Sequence, residues 1–357
     1  MGYKSIFAST ALAVVLFSGE SFAVNYTITD LGNLGAGYSG GNGINNSGQV
    51  TGYSGTPSGN ANAFLYSNGQ MTDLGNVVGG NNGQGVSIND SGQVTGISGL
   101  GGNFNSAFLY SNGQMTNLGT LGGFSSYGMG INNSGQVTGM SYTSDGRYSA
   151  FLYSGGQMTS LGTLGGAYSV GTGINNSGQV TGASINSNGQ QNAFIYSNGQ
   201  MTDLGNLGGS YSYGFAINDS GQVTGNADTA GNPQSSSAFL YSNGQMTRLT
   251  LGGQYSYGFG INNLGQVVGS DNLWGGFLYS DGVTTSLKDL VTNGAGWLLY
   301  AGNDINDLGQ ITGTGSYNGQ NHAFLLTPDA APVPEPSTML LLGGGLVGLA
   351  FWRRKKS

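Results

Sequence analysis

Few residues of this chain could carry out chemistry. Its 357 residues include one histidine, His322, and no cysteine. Multi-histidine metal sites, thiolate metal sites and cysteine nucleophiles are therefore excluded. We interpret His322 as structural, because the equivalent positions elsewhere in the chain are mostly Asn or Ser. The sequence predicts no catalytic residues, no metal site and no cofactor.

Carboxylates offer the remaining route to catalysis. All thirteen acidic residues between positions 24 and 333 are Asp, and two close carboxylates could serve a glycosidase as acid and base. Asp90 and Asp219, however, stand where similar segments carry Asn, which is typical of turns. The segment 89–92 also lacks the alternating carboxylates and final Glu of a calcium loop. We expect a non-enzymatic protein; an extracellular carbohydrate-active enzyme with paired Asp residues is the alternative.

Aromatic residues are the better candidates for ligand binding. Seven of them precede the repeated motif described below, in segments that we predict to be loops between repeats: Phe124, Tyr127, Tyr168, Tyr211, Tyr213, Tyr255 and Tyr257. Tyr rings beside Asn, Ser and Gly can stack against sugar rings and offer hydrogen bonds. The alternative is that these rings only pack between repeats.

The elements that must position these residues form seven copies of one unit. The motif Ile-Asn-x-x-Gly-Gln-Val/Ile-x-Gly recurs every 43 or 44 residues, at Ile44, Ile88, Ile131, Ile174, Ile217, Ile261 and Ile305. In each copy a Phe follows at the start of a short apolar segment, at Phe64, Phe108, Phe151, Phe194, Phe239, Phe277 and Phe324. The 71 Gly residues argue against a helical protein, because Gly costs about 1 kcal/mol at each helical position.

Each copy contains signals for four short strands. In the fifth copy we predict strands at 214–218, 222–225, 238–242 and 245–249. The pair Asn243-Gly244 predicts a type I′ hairpin, which needs positive φ at both central residues. Tight turns should then lie on one face. The variable loops 142–148 and 228–236, together with the connections between repeats, should lie on the opposite face.

A four-stranded unit with a period near 43 residues is typical of a β-propeller blade. The segment 26–32 matches the fourth strand of a repeat, whereas the last copy lacks one. We therefore predict an all-β, seven-bladed β-propeller over residues 24–327, closed by the N-terminal strand. The two hairpins of each copy also resemble each other at a spacing of 21 residues, so a β-solenoid is the alternative.

Both ends of the chain have the character of targeting segments. Residues 1–23 combine Lys4, an apolar core and small residues, which predicts a signal peptide cleaved after Ala23. A Pro-rich linker, 328–337, contains Pro334, Glu335 and Pro336. Residues 338–357 then predict a short transmembrane helix and a basic tail, including Arg353 and Arg354, on the cytoplasmic side.

The order of Pro334-Glu335-Pro336, apolar helix and terminal basic run resembles the PEP-CTERM sorting signal of Gram-negative bacteria. This resemblance implies an exosortase substrate with transient inner-membrane anchoring, in organisms that make exopolysaccharide. The repeats resemble the HAF family of extracellular repeats, and His322-Ala323-Phe324 carries the complete signature. That second resemblance implies location and repeat class rather than chemistry.

The net charge of the region between the targeting segments narrows the classes of possible binding partner. Between the targeting segments there are 3 basic and 13 acidic residues, a net charge of −10, which argues against nucleic acid. We expect an exported, cell-surface or matrix-associated, non-catalytic protein that binds or organises extracellular material, with exopolysaccharide as the preferred ligand. A purely structural or protein-binding surface protein is a further alternative.

Overall fold

The structure is a computed structural model, and it describes residues 24–77, 80–101, 104–249 and 252–329. The predicted signal peptide, the Pro334-Glu335-Pro336 segment and the predicted transmembrane helix with Arg353 and Arg354 lie outside these ranges. Ala23 lies outside them as well. Within the described ranges no helix has the length and apolar character needed to cross a membrane.

The regular secondary structure of the described chain is almost entirely β-strand, with four strands in each of the first six repeats and three in the last. The chain enters through β1 (Tyr26–Asp30). The strands of the first three repeats are β2 (Ser39–Ile44), β3 (Val50–Gly55), β4 (Ala61–Ser67), β5 (Gln70–Gly75), β6 (Gly83–Ile88), β7 (Val94–Gly101), β8 (Phe104–Ser111), β9 (Gln114–Asn117), β10 (Gly122–Ile131), β11 (Val137–Thr143), β12 (Tyr148–Ser154) and β13 (Gln157–Ser160).

The later repeats continue this order, with one short helix, α1, before the last of them. Their elements are β14 (Gly165–Ile174), β15 (Val180–Asn186), β16 (Gln191–Ser197), β17 (Gln200–Asp203), β18 (Gly208–Ile217), β19 (Val223–Thr229), β20 (Asn232–Ser242), β21 (Gln245–Arg248), β22 (Ser256–Ile261), β23 (Val267–Asp271), β24 (Gly275–Ser280), β25 (Val283–Ser286), α1 (Leu287–Leu290), β26 (Trp297–Ile305), β27 (Ile311–Tyr317) and β28 (Gln320–Pro328).

Each of the first six repeats forms an antiparallel four-stranded sheet whose strands pair in chain order. The sheets of the fourth and fifth repeats are also joined by one parallel bridge between Gln191 and Tyr211. The last repeat supplies β26, β27 and β28, and β1 adds the fourth strand with Tyr26 opposite Pro328. The N-terminal strand therefore completes the last sheet, as the sequence predicts.

The predicted strands of the fifth repeat all exist, but the first three are longer than expected. The first, β18, starts at Gly208 rather than Gly214, and the third, β20, starts at Asn232 rather than Ala238. The additional residues extend the strands toward the side of the predicted loops. Strand pairing continues there although the sequences of the repeats diverge.

The cores lie between neighbouring sheets. Phe151, for example, is fully buried and packs with Val137 and Ile131 of its own repeat, and with Ala107 and Leu118 of the preceding repeat. The same type of cluster recurs between the other sheets. Each sheet therefore buries one face of its neighbour, which explains the consecutive apolar residues of every third strand.

Tight turns define one face of the molecule. Asn243 and Gly244 have φ angles of 53° and 80°, which confirms the predicted type I′ hairpin. The turn between the first two strands lies on the same side, because Gln49 Nε2 donates to Ser67 Oγ at 3.3 Å, next to the other hairpin. We call this side the tight-turn face and the opposite side, with the connections between repeats, the wide-loop face.

Two rings of hydrogen bonds run around the tight-turn face. Asn45 Nδ2 donates to the carbonyl oxygen of Asn89 at 2.9 Å, and the bond recurs until Asn306 Nδ2 donates to the carbonyl of Asn45 at 2.9 Å. The inner ring consists of Asn45, Asn89, Asn132, Asn175, Asn218, Asn262 and Asn306. A linear solenoid has no contact between its last and first repeats, so the solenoid alternative is wrong.

The next residue in each turn forms the outer ring. Its side-chain oxygen accepts the backbone N–H of the equivalent residue in the preceding repeat, at 2.8–2.9 Å. The members are Asn46, Asp90, Asn133, Asn176, Asp219, Asn263 and Asp307. Asp and Asn both supply the accepting oxygen, which explains their interchange at this position.

Candidate binding surface

Five aromatic rings form a continuous row on the wide-loop face. Neighbouring ring centroids lie 4.1–5.8 Å apart from the second repeat to the fourth. The row consists of Phe104, Phe124, Tyr142, Tyr148 and Tyr168. Exposed apolar patches of this kind are typical of binding surfaces. We call these residues the aromatic row.

Strand pairing positions the rings. Tyr142 and Tyr148 are direct cross-strand partners at the ends of β11 and β12, next to the turn that joins these strands. Phe124 lies on β10, where a Cβ at Gly123 would come within 2.6 Å of the Tyr142 backbone. Because residue 123 is Gly, the chain can approach closely, and the rings of Phe124 and Tyr142 lie only 4.1 Å apart.

The rings remain accessible. Phe104 and Phe124 are 47% and 52% exposed, whereas the three tyrosines are half-buried. Loss of hydration is the largest cause that raises the pKa of Tyr148, and the Tyr168 and Tyr142 phenols raise it further. The Tyr148 phenol therefore stays neutral at physiological pH and keeps its O–H donor.

Polar groups lie beside the row on the turn between β11 and β12. Arg147 is exposed and lies 3.7 Å from Asp145, measured from Nε to Oδ2. The Thr143 hydroxyl donates to Asp145, and this hydrogen bond is the largest of the causes that lower the pKa of that carboxyl. The row thus combines flat apolar faces with a charged donor and a charged acceptor at its edge.

A second aromatic cluster, the axial cluster, lies on the first strands of two repeats. The first strands of all repeats surround the central axis of the closed ring, and we call them the inner strands. Tyr257 stacks on Phe259 with centroids 5.8 Å apart, and Tyr213 lies 4.9 Å from Phe215. Phe215 and Phe259 join the two pairs at 5.5 Å. Burial raises the pKa of Tyr213 well above its usual range, and nearby Tyr211 and Tyr148 raise it further.

The other three predicted residues are not among the rings that define these two clusters. Tyr127 is half-buried, and its hydroxyl accepts a hydrogen bond from Asn105 Nδ2 at 3.0 Å. Tyr255 is 39% exposed and is held by a bond from its N–H to Asn272 Oδ1. Tyr211 is half-buried; loss of hydration raises its pKa, and the phenol of Tyr257 adds to the effect.

The predicted location of these aromatic residues needs one correction. Six of the seven lie on the first strand of a repeat rather than in a loop; Tyr255 forms an isolated bridge with Ser236 just before β22. Phe124 and Tyr168 belong to the aromatic row, and Tyr213 and Tyr257 belong to the axial cluster. Sequence reasoning missed Phe104, Tyr142 and Tyr148, although it placed the segment 142–148 on the correct face.

An axial cavity of about 550 Å³ lies between the inner strands. Phe215, Phe259 and Tyr213 form part of its wall, and Asn42, Asn303, Asp304 and Gln84 form another part. Its volume is within the range of roughly 300–1,000 Å³ that is usual for small-molecule sites. At the tight-turn face a separate hollow of about 170 Å³ is lined by the two asparagine-rich rings.

Three carboxylates of the tight-turn face, those of Asp90, Asp219 and Asp307, belong to the outer ring. Asn46 Nδ2 lies 3.3 Å from an oxygen of Asp90 and 3.3 Å from an oxygen of Asp307, so these two carboxylates share one amide. No group of three or more His, Cys, Asp or Glu side chains able to hold a metal ion occurs among the described residues.

His322 links two strands of the last sheet. Its Nδ1 lies 2.8 Å from Asp30 Oδ1, between β28 and β1. The equivalent contact in the first repeat joins Asn62 Nδ2 to Asp73 at 2.9 Å. The position therefore connects the third and fourth strands in both repeats, which supports a structural role.

Comparison with protein families matches the C-terminal region alone. Residues 332–355 match the PEP-CTERM protein-sorting motif. This motif is a signal for processing by exosortase, and it indicates export with membrane or cell-surface association. Comparison of the sequence with curated proteins gives no match.

Solved structures are similar in fold. YCF48 bound to D1 peptide has a TM-score of 0.51 at 12% identity, over 87% of this chain and 97% of that one. A puromycin-hydrolyzing peptidase of Mycobacterium tuberculosis has a TM-score of 0.54 at 9% identity, over 88% of this chain and 57% of the peptidase. TolB from Acinetobacter baumannii has a TM-score of 0.46 at 11% identity, over 79% of this chain and 64% of TolB. The chain spans less than two thirds of TolB and of the peptidase. Its similarity to YCF48 and to the peptidase is one of propeller-like fold.

Proposed function

We propose that this protein is an exported, cell-surface or matrix-associated, non-catalytic β-propeller that binds extracellular polysaccharide through the aromatic row. The observation that carries the proposal is the row itself, in which five rings continue across three repeats on an accessible face. Flat apolar rings with hydroxyl groups can cover the C–H faces of sugar rings and bind their hydroxyls.

The position of the chain ends supports this proposal. The Asp329 N–H donates to the Asn25 carbonyl at 2.8 Å, so both ends of the described chain meet. They lie on the tight-turn face, because Pro328 is adjacent to the turn that contains Gly309. The sorting motif starts shortly afterwards, at residue 332. In an anchored protein the aromatic row would therefore face away from the membrane.

Charge restricts the ligand. With a net charge of −10 between the targeting segments, the protein repels anionic polymers. Stacking on neutral sugars does not depend on this charge. We therefore propose a neutral polysaccharide, or an acidic one that is bridged by cations.

We further propose seven blades of the HAF repeat type. The closed inner ring of asparagines, with one member from each sequence repeat, supports the blade number. The link between strands at His322 and Asn62 gives the residue two positions before the core Phe a common physical role in these repeats. An Asn, Ser or His there can bond to the fourth strand of its sheet.

Paired Asp residues are the basis of the enzymatic alternative. The carboxylates that share an amide, Asp90 and Asp307, also accept backbone N–H groups of the outer ring. These bonds favour a structural role over proton transfer. Release of reducing sugar from polysaccharide, abolished by Asp90→Asn or Asp307→Asn, would establish an enzyme instead.

A pull-down with the producing organism's own exopolysaccharide tests the proposed function. Purified wild-type protein should bind, and the triple variant Phe124→Ala, Tyr142→Ala, Tyr148→Ala should lose binding. The matched control is Trp274→Ala, which removes a 54% exposed aromatic ring outside the row. Equal binding by wild type and the triple variant would refute the assigned surface. Absence of binding by wild type would refute the polysaccharide ligand.

A further inference from the structure

The axial cavity contains a carboxyl group that breaks the repeat pattern. Asp304 stands immediately before the Ile of the last motif. Small residues occupy this slot in the other repeats: Gly43, Ser87, Gly130, Gly173, Ala216 and Gly260. A small residue is expected there, because the Cβ of an added side chain approaches the next inner strand, to 3.0 Å for Gly43. The side chain of Asp304 is therefore not needed to build the repeat.

Two backbone groups hold the carboxyl in place. Ile44 N–H donates to Asp304 Oδ2 at 3.0 Å, and Ile305 N–H donates to Oδ1 at 2.9 Å. Each carboxylate oxygen has a second lone pair. The residue remains partly accessible from the cavity that it lines. It can therefore accept further hydrogen bonds from a molecule in the cavity.

No cation neutralises this carboxyl within the described part of the chain. The close contacts found there between basic and acidic side chains join Arg147 to Asp145 and His322 to Asp30. Among the described residues that line the cavity, none is Lys or Arg. Burial raises the pKa of Asp304 to about 7, which reflects the cost of an uncompensated interior charge.

The cavity wall favours an organic cation over a metal ion. Phe259 belongs to the strand next to Asp304, since a Cβ at the adjacent Gly260 would lie 3.0 Å from Asp304 Oδ1. With Phe215 and Tyr213 it supplies aromatic faces, which attract ammonium groups. A metal ion would need several hard oxygen ligands, whereas Asp304 is the one carboxylate among the described lining residues.

We propose that the axial cavity binds a small organic ammonium compound, whose charged nitrogen contacts Asp304 and whose carbon skeleton packs on Phe215 and Phe259. The cavity shares no lining residue with the aromatic row, and the proposed site does not depend on the polysaccharide ligand. Asn42, Asn303 and Gln84 line the same cavity and can bind hydroxyl groups of such a compound.

Calorimetric titration of the purified full chain at pH 7 tests this site. Glucosamine and glucose are matched probes, because they differ by an ammonium group in place of one hydroxyl. We expect glucosamine to bind with a Kd of about 1 mM or tighter, and glucose at least about tenfold more weakly. Asp304→Asn should weaken glucosamine binding at least tenfold. The control Asp307→Asn, on the tight-turn face, should leave it unchanged.

Several results would overturn the proposal. These are no glucosamine binding, equal binding of the two sugars, no effect of Asp304→Asn, or an equal loss in Asp307→Asn. Saturation by calcium chloride but not by glucosamine would instead indicate a metal site. If Asp304→Asn does not fold, Asp304→Ser replaces it, since Ser87 already occupies this slot in the second repeat. If neither folds, the contrast between the two sugars decides.

Discussion

The tight-turn face and the wide-loop face are built from the same seven repeats but differ in character. On the tight-turn face every repeat presents an Asn to the inner ring and an Asn or Asp to the outer ring, with nearly identical bonds. On the wide-loop face the repeats differ in strand length and in aromatic content. Phe124 and Tyr142 stack there, whereas the first repeat has Gly37 and Gly55 at the corresponding positions.

We infer from this difference that the two faces have separate roles: the tight-turn face closes the ring, and the wide-loop face is free to bind a ligand. A ring closes only if every repeat makes the same contact with the next one, so variation on the tight-turn face would break it. The wide-loop face has no such requirement, and side chains there can change without loss of the sheets. Substitutions on the two faces should therefore affect different properties.

Among the substitutions proposed, Asn132→Ala in the inner ring should have the largest effect on stability. This 3% exposed side chain donates to the Asn175 carbonyl and to Gln136, and it accepts from two backbone N–H groups. Its removal leaves several buried groups without partners and should lower the free energy of unfolding by about 3 kcal/mol. Urea denaturation measures the change, and polysaccharide binding at low temperature should persist.

The exposed Asn188 in the turn between β15 and β16 is the control for that substitution. Its side chain makes no hydrogen bond to another residue of the described ranges, so Asn188→Ala should change the free energy of unfolding by less than about 0.5 kcal/mol. A loss of equal size in Asn132→Ala and Asn188→Ala would contradict the role of the inner ring.

The next effect concerns pH and Asp304, which lies between the two faces. Its pKa is about 7 in the folded protein and about 3.9 in an unfolded chain. The folded form therefore retains its proton where the unfolded form has lost it. The contribution of this proton to the free energy of unfolding is fully present below about pH 4 and is lost as the pH rises through 7.

Comparison with Asp304→Asn isolates this group from the other carboxylates. Between pH 5 and pH 8 the free energy of unfolding of wild type should fall by about 2 kcal/mol relative to the variant. Denaturation curves of both proteins across this range measure the difference. A constant difference would mean that the carboxyl titrates at its ordinary pKa.

On the wide-loop face we expect Tyr142→Ala to lower polysaccharide affinity about fivefold to tenfold. Loss of one aromatic contact corresponds to about 1 kcal/mol. The free energy of unfolding should change by no more than about 1 kcal/mol, because this half-buried ring lies near the end of β11, away from the buried core. Titration with exopolysaccharide and urea denaturation measure the two quantities. A large loss of stability with unchanged binding would assign Tyr142 to the scaffold.

The smallest effect should follow Leu308→Ser. Leu308 is 65% exposed in the tight turn of the last repeat, where Ser134 occupies the same position in the third repeat. The substitution should change the free energy of unfolding by less than about 0.5 kcal/mol and leave binding unaltered. Should binding weaken, the tight-turn face would also have a ligand, and the division between the two faces would be wrong.

Local sequence signals predict much of this fold. The Asn243-Gly244 hairpin and the pairing of the N-terminal strand with the last repeat follow from turn chemistry and from matching strand sequences. These features depend on residues close in sequence or on repetition of a motif. The prediction of strand ends was poorer. Strands such as β18 continue by pairing with their neighbours where the repeats no longer resemble each other.

The aromatic row could be predicted only in part. Phe124 and Tyr168 stood out as aromatic residues before the motif, but their partners come from other strands and other repeats. Tyr142 reaches Phe124 through sheet pairing and through the close approach at Gly123. Such a contact depends on tertiary geometry, and no spacing in the sequence indicates it. The same holds for Asp304, whose significance becomes visible once the inner strands enclose a cavity.

Structure determination with a bound oligosaccharide from the organism's own matrix tests the central claim most directly. The account predicts sugar density along Phe124, Tyr142, Tyr148 and Tyr168, with the pyranose faces parallel to the rings. Density on the tight-turn face, or an empty row in a complex that retains the oligosaccharide elsewhere, would contradict it.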